Sequence, residues 1–159
     1  MSVAVLMSPG VASAASEQSF QSDALRNSTY LASMGRNHAA GVESLFGRAT
    51  SWSVEDKGTI NGHHKVRLVD ASRVPSDGCL DSHAEVNGGH PYVIACNSGD
   101  YQIWEVFKTG DYVVFKSYGA YTQQHVHVCV KAPTGLRADH TNTVLLATCD
   151  TNSRYQRWF

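Results

Sequence analysis

The three tryptophans of this 159-residue chain recur at nearly equal intervals. Trp52, Trp104 and Trp158 stand 52 and 54 residues apart, and a Tyr-Gln-x-Trp sequence ends at each of the last two. The cysteines follow the same rhythm, since one pair precedes each of those two tryptophans: Cys79 and Cys96, then Cys129 and Cys149. A period of about fifty residues is typical of repeated structural units, so we predict three copies of one unit.

The first copy is the weakest of the three. Tyr30-Leu31-Ala32-Ser33 stands where the second copy has Cys79-Leu80-Asp81-Ser82, and Thr50-Ser51-Trp52 replaces the Gln-x-Trp. This copy contains no cysteine, so we expect it to be the softest part of the fold. The three copies run over about 25–52, 53–104 and 105–159.

Stretches rich in Val, Tyr and Phe alternate with turn residues, which predicts short β-strands. Candidate strands are 104–107, 112–115, 125–130 and 144–149, and a helical period is visible at most over 18–25. A unit of this size cannot bury its own apolar face, so the three copies must share one core. Closing them on themselves also removes exposed sheet edges. We therefore predict an all-β, pseudo-threefold closed structure with the three tryptophans in its core.

These residues together resemble the ricin-type β-trefoil lectin family, whose units read Cys-Leu-Asp, a second cysteine and then Gln-x-Trp. The second copy matches in order and spacing through Cys79-Leu80-Asp81, Cys96 and Gln102-Ile103-Trp104. The third copy keeps both cysteines and its Gln-x-Trp but reads Cys129-Val130-Lys131. The resemblance extends from about residue 25 to residue 159 and implies a β-trefoil fold.

Four cysteines permit three pairings, and their count does not choose among them. The resemblance implies pairing within a unit, Cys79 with Cys96 and Cys129 with Cys149. Four reduced thiols in a cytosolic protein are the alternative.

Residues 1–14 favour export, because they are uncharged and end in Ala12-Ser13-Ala14, a sequence that signal peptidase accepts. We interpret them as a signal peptide with a truncated start, followed by an N-terminal extension over 15–24, and expect a secreted, extracellular protein.

A sugar site in this family implies a carboxylate, an aromatic ring and an amide. The second copy supplies the carboxylate as Asp81, which accepts hydrogen bonds from neighbouring hydroxyls. Tyr92 or His90 can pack against the sugar ring, and Asn97 or Gln102 can supply the amide. The alternative for Asp81 is that it caps the adjacent turn, and the alternative for Gln102 is that it binds backbone.

The other two copies depart from this pattern. Lys131 replaces the carboxylate in the third copy, and a lysine donates hydrogen bonds but cannot accept them. Leu145 and Ala147 occupy its stacking positions, while Asp139 or Asp150 can substitute for the carboxylate without the spacing demanding it. Ala32 stands near the carboxylate position of the first copy. We therefore predict at most one conventional sugar site.

Composition and motifs exclude several other functions. A net charge of −1 gives no driving force for nucleic-acid binding, and no stretch approaches the roughly 20 apolar residues of a membrane span. We expect no cofactor and no metal: His63 and His64 point to opposite strand faces, and His125 with His127 lacks a third ligand. Glu55 and Asp56 are interpreted as neighbouring solvated residues of a turn. Nucleophile, zinc and phosphate-loop motifs are missing, so we expect no enzyme.

Three functions therefore remain, of which a small hydrolase built on this fold has the least support, because no nucleophile or acid/base pair is indicated. The first is a secreted lectin that binds glycans or glycoproteins, of galactose type as the resemblance implies, through one site in the second copy. The alternative is a protein-binding accessory subunit with degenerate sugar sites, similar to those of cytolethal distending toxins. A weak single site would act on dense glycans or in a multimer.

Overall fold

The computed structural model describes residues 16–25, 29–44, 50–72, 78–82, 89–135 and 142–159. The strands are β1 (Ser16–Gln18), β2 (Thr29–Ala32), β3 (His38–Ala39), β4 (Gly41–Ser44), β5 (Trp52–Ile60), β6 (His63–Asp70), β7 (Gly78–Asp81), β8 (Tyr92–Ala95), β9 (Trp104–Thr109), β10 (Tyr112–Ser117), β11 (Val128–Lys131) and β12 (Leu145–Thr148). One short helix, α1 (Tyr118–Gln124), and two 3₁₀ turns, Asp100–Gln102 and Arg154–Gln156, complete the elements of these ranges. The all-β prediction is confirmed. The predicted signal peptide over 1–14 and Asp139 lie outside the described residues.

The strand pairing repeats three times around a barrel. Each tryptophan lies opposite one residue of its own hairpin and one residue of the preceding hairpin: Trp52 opposite Asp70 and Gln18, Trp104 opposite Ser117 and Val66, and Trp158 opposite Ser22 and Val113. A second set of hairpins, β2–β4, β7–β8 and β11–β12, forms a cap with one hairpin from each repeat. The predicted pseudo-threefold symmetry is therefore present in the hydrogen-bond register.

The two ends of the described chain close the barrel. Gln21 and Phe159 exchange backbone hydrogen bonds of 3.2 and 2.9 Å, so the C-terminal residues supply the first strand of the first repeat. The Phe20 side chain is buried, and β1 pairs with β5. Residues 16–25, which the sequence analysis treated as an extension and as the one stretch with a helical period, therefore contribute strand and core to the barrel.

The indole groups join the barrel to the cap. All three tryptophan side chains are fully buried. Each indole N–H donates to a carbonyl of the cap strand in its own repeat: Trp52 to Leu31 at 3.0 Å, Trp104 to Leu80 at 3.0 Å and Trp158 to Val130 at 3.3 Å. Their assignment to the core is confirmed, and the indole N–H groups are satisfied as buried donors require.

The predicted disulfides are both present, Cys79–Cys96 and Cys129–Cys149. They link residues 17 and 20 apart, and the chain-entropy estimate for loops of that size is about 3 kcal/mol each. A buried glutamine clamps the residues on either side of each second cysteine. Gln102 accepts from the N–H of Asn97 and donates to the carbonyl of Ala95, and Gln156 makes the same pair of bonds around Cys149, with Asp150 and Thr148.

Helix α1 is an element that the sequence analysis missed. The Ser117 hydroxyl accepts from the N–H of Ala120 at 3.0 Å and so caps the helix, while His125 ends it in the left-handed region with φ 56°. The strand predicted over 125–130 consequently begins only at Val128. Gly119 lets the helix approach Tyr101, because an added Cβ would lie 2.6 Å from the Tyr101 backbone.

We predict that Trp158→Ala lowers the free energy of unfolding by about 3–5 kcal/mol, because it removes a fully buried indole from the strand that closes the barrel. Its neighbour Phe159 is 42% exposed and serves as the matched control. Phe159→Ala should cost about 1 kcal/mol or less. Urea denaturation of both variants measures the difference, and equal losses would contradict the core role of Trp158.

We also predict that amide protons of β2 and β4 exchange with solvent faster than those of the two disulfide-linked hairpins. No cystine opposes local opening of the first hairpin. Hydrogen exchange measured by NMR compares the three hairpins in one sample. Reduction with dithiothreitol should bring the second and third hairpins towards the first, whereas equal protection before reduction would contradict this account.

Candidate functional site

The β7–β8 hairpin brings Asp81 and Tyr92 directly opposite each other. Opposite residues of an antiparallel pair project from the same face of the sheet, with their Cβ atoms about 5 Å apart. Asp81 is 4% exposed and Tyr92 is half-buried. Both residues already make an interaction within the chain. The hairpin therefore sets a carboxylate and an aromatic ring side by side on one face.

Asn97 contributes an exposed amide in the loop that follows Cys96. Its side-chain oxygen accepts from the N–H of Gly99 at 2.7 Å, which turns the loop. The Nδ2 group is left to donate, since no hydrogen bond from it is present within the described part of the chain. Asn97 thus offers the donor that complements the acceptor Asp81.

The Gln102 side chain is fully buried, and its two hydrogen bonds go to backbone atoms on either side of Cys96. Of the two amides that the sequence analysis considered, Asn97 is the one that reaches solvent. Gln102 shapes the site indirectly, because it holds the Asn97 backbone N–H at 2.8 Å.

The His90 ring is half-buried and is held against the third repeat. Its Nδ1 atom lies 2.8 Å from the Val144 carbonyl oxygen, and because a carbonyl oxygen only accepts, the Nδ1–H group donates a hydrogen bond to it. The neighbouring Gly89 carbonyl accepts from the N–H of Leu146 at 2.8 Å. His90 therefore links the second repeat to the third, and its role in stacking stays a prediction.

Arg67 and Glu55 support the Asn97 loop from the barrel. The Arg67 guanidinium donates to the Asn97 carbonyl at 3.1 Å and to the Glu55 carboxylate at 2.8 Å. Partial burial alone would raise the pKa of Glu55, but hydrogen bonds and charge from Lys57 and Arg67 outweigh it and hold that pKa below its usual value. The placement of Glu55 and Asp56 in a turn is wrong, since both lie in β5; Asp56 is exposed, whereas Glu55 faces Arg67 across the β5–β6 pair. The opposite charges of Glu55 and Arg67 were the only sign of this ion pair in the sequence, and they do not show by themselves that the two residues lie opposite each other.

The three repeats place different side chains at the position of Asp81. Register puts Ala32 opposite Gly41 in the first repeat and Lys131 opposite Leu145 in the third. In the described residues, a carboxylate facing an aromatic ring at this point therefore occurs in the second repeat alone.

The described ranges contain neither a cluster of metal ligands nor a membrane-spanning helix. No three His, Cys, Asp or Glu side chains there are grouped as metal ligands. His125 does not share a strand face with His127, because it caps α1. None of the helices in these ranges is long and apolar enough to cross a membrane.

Known proteins of similar structure share this fold at low sequence identity. A Polyporus squamosus lectin bound to a Neu5Ac-containing epitope matches with a TM-score of 0.69 and 18% identity over 92% of this chain and 49% of its own, so this chain spans about half its length. The designed threefold-symmetric protein ThreeFoil matches with a TM-score of 0.68 and 18% identity, over 89% of this chain and 95% of its own. The Haemophilus ducreyi cytolethal distending toxin matches with a TM-score of 0.63 and 19% identity, over 90% of this chain and 81% of its own.

No curated protein is significantly similar to the chain in sequence. The family model of the ricin-type β-trefoil lectin domain, however, matches residues 23–158. That range includes the three tryptophans, both disulfides and the Asp81 hairpin. The chain therefore belongs to the ricin-type β-trefoil lectin domain family.

Proposed function

We propose that this protein is a secreted carbohydrate-binding module that takes a galactose-type sugar residue at Asp81, Tyr92 and Asn97. The observation that carries the proposal is the register of β7 and β8, which sets Asp81 against Tyr92 in a lectin-family hairpin. Membership of a lectin domain family also supports binding without catalysis. The physiological partners would be glycans or glycoproteins.

Each of the three groups has a separate task in this proposal. The Asp81 carboxylate accepts hydrogen bonds from two neighbouring hydroxyls of the sugar, which as donors of fixed spacing suit its two oxygens. The Tyr92 ring packs against the C–H face of the sugar. Asn97 Nδ2 donates to a further hydroxyl. Because Asp81 is only 4% exposed, one edge of the sugar contacts its carboxylate, and the rest of the sugar stays in solvent.

A site of this size binds weakly by itself. Few sugar atoms are enclosed, so a dissociation constant of about 1 mM is a reasonable order of magnitude for one residue. Useful avidity then requires dense glycans or several copies of the protein. Secretion is supported by the two disulfides, which persist in oxidising compartments.

A protein-binding accessory subunit is the second candidate. The observation that favours it is the loss of the carboxylate from two repeats, where Ala32 and Lys131 stand. A cytolethal distending toxin chain shares the fold, although 19% identity supports the fold alone.

We predict that Asp81→Asn lowers binding to galactose-terminated glycans at least about tenfold, because charge-assisted hydrogen bonds contribute roughly 1.5–3 kcal/mol. The substitution keeps the side-chain size and removes the charge. Asp111→Asn, at an exposed turn, is the matched control and should bind as the unchanged protein does. A glycan array on the three proteins, each with its thermal midpoint recorded, makes the comparison.

Unaltered galactose binding by a folded Asp81→Asn variant would contradict the proposed site. If no glycan binds any of the three proteins and one protein co-purifies specifically, the accessory-subunit function is favoured instead.

A further inference from the structure

The third repeat contains a cleft of about 480 Å³ at the position equivalent to the proposed sugar site of the second repeat. Its walls come from β11, β12 and the turn before Trp158: Lys131, Leu145, Leu146, Ala147, Thr148, Asp150, Ser153 and Gln156. The sequence analysis treated this repeat as lacking a conventional site. The cleft nevertheless presents polar groups of both signs above an apolar floor.

The backbone around the cleft repeats that of the second repeat. The N–H of Ala132 donates to the Tyr155 carbonyl at 2.7 Å, as the N–H of Ser82 donates to the Tyr101 carbonyl at 2.9 Å. The two buried glutamines make the same clamps around the second cysteine of each repeat. Side chains that differ between the repeats therefore stand on matching backbone positions.

At two of these positions, the second and third repeats carry hydrogen-bonding groups of opposite type, a donor in one repeat and an acceptor in the other. Lys131 stands at the place of Asp81, so an acceptor becomes a cationic donor. Asp150 stands at the place of Asn97: both backbone N–H groups donate to the clamping glutamine, and both side chains accept from the N–H two residues on. Asp150 carries acceptors only, so the donor of the second repeat becomes an acceptor in the third.

The charge on Lys131 is not neutralised within the described residues. Its ammonium contacts the Tyr155 ring at 6.0 Å from the centroid, the outer limit of a cation–π interaction, and forms no ion pair with Asp150 or another described carboxylate. Lys131 is half-buried, and Asp150 is exposed. An anionic group arriving in the cleft would gain a charge-assisted hydrogen bond without displacing a described carboxylate from Lys131.

The floor of the cleft is aliphatic. Leu145 lies opposite Lys131, and Ala147 lies two residues further along β12 on the same face. Such a surface accepts the C–H face of a sugar ring or another weakly polar body, without the directional preference of an aromatic ring.

We propose that this cleft binds a sugar residue that carries a carboxylate, such as a hexuronic acid. Lys131 pairs with the sugar carboxylate, Asp150 accepts hydrogen bonds from its hydroxyls, and the ring lies over Leu145 and Ala147. A neutral sugar offers Lys131 no anion. A phosphate or a simple carboxylate offers Asp150 few hydroxyl donors and so makes only the contact with Lys131. This site differs in position and in ligand from the neutral-sugar site at Asp81.

The test titrates the full chain with D-galacturonate, its uncharged methyl ester, acetate and D-galactose, and records NMR chemical shifts. We expect galacturonate to bind about tenfold tighter than the ester, and its affinity to fall as salt is added. Shifts should concentrate in β11, β12 and 150–156. Equal binding of acid and ester, or equal binding of acetate and galacturonate, would overturn the proposal.

Lys131→Gln removes the charge and should weaken galacturonate binding about tenfold, whereas Lys108→Gln, at an exposed strand end, should not. Lys131→Arg keeps the charge and should retain binding, which guards against a folding defect in the glutamine variant. Unchanged affinity in Lys131→Gln would overturn the proposal. Galactose binding at Asp81 is read from separate signals, so failure of one site is distinguishable from failure of the other.

Discussion

The hydrogen bond from each buried indole N–H to a cap-strand carbonyl is the constraint on which the rest of the structure depends. It fixes a barrel strand and a cap hairpin of the same repeat at 3.0–3.3 Å, three times around the axis. A buried indole N–H without an acceptor would cost about 1–3 kcal/mol, so barrel and cap cannot shift independently. In the second repeat the acceptor is the Leu80 carbonyl, which immediately precedes Asp81. The core bond and the candidate sugar site are thus adjacent on one strand.

A second layer of constraint acts on the loop after each second cysteine. The disulfide fixes the cysteine, the glutamine of Gln-x-Trp clamps the residues beside it, and in the second repeat Arg67 holds the Asn97 carbonyl as well. The side chains that this frame carries at the candidate sites vary between the repeats, while the backbone positions stay the same. That explains how Asp81 and Asn97 in one repeat correspond to Lys131 and Asp150 in another on matching backbones.

The fold was largely predictable from the sequence, because residues that recur in every repeat are mostly core residues. The spacing of Trp52, Trp104 and Trp158 predicted the threefold closure. The disulfide pairing followed from the resemblance rather than from the cysteine count. Asp81 and Tyr92 were named from the sequence as candidates for one sugar site, and the register of their hairpin places them opposite each other. Helix α1, which Ser117 caps, was missed because seven residues are too few to show a helical period.

Other features depended on contacts between distant residues. Residues 16–25 carry no repeat motif, and their barrel position is set by pairing with Phe159 at the opposite end of the sequence. The Glu55–Arg67 pair and the buried state of Gln102 likewise depend on strand register, which local patterns do not define.

The central claim is that a neutral sugar binds the second repeat through Asp81, Tyr92 and Asn97. The most direct measurement is a map of backbone amide chemical shifts during titration with D-galactose. Our account predicts saturable shifts that concentrate in β7, β8 and the loop at 96–99. Shifts spread evenly over the barrel, or no shifts at saturating sugar, would contradict it.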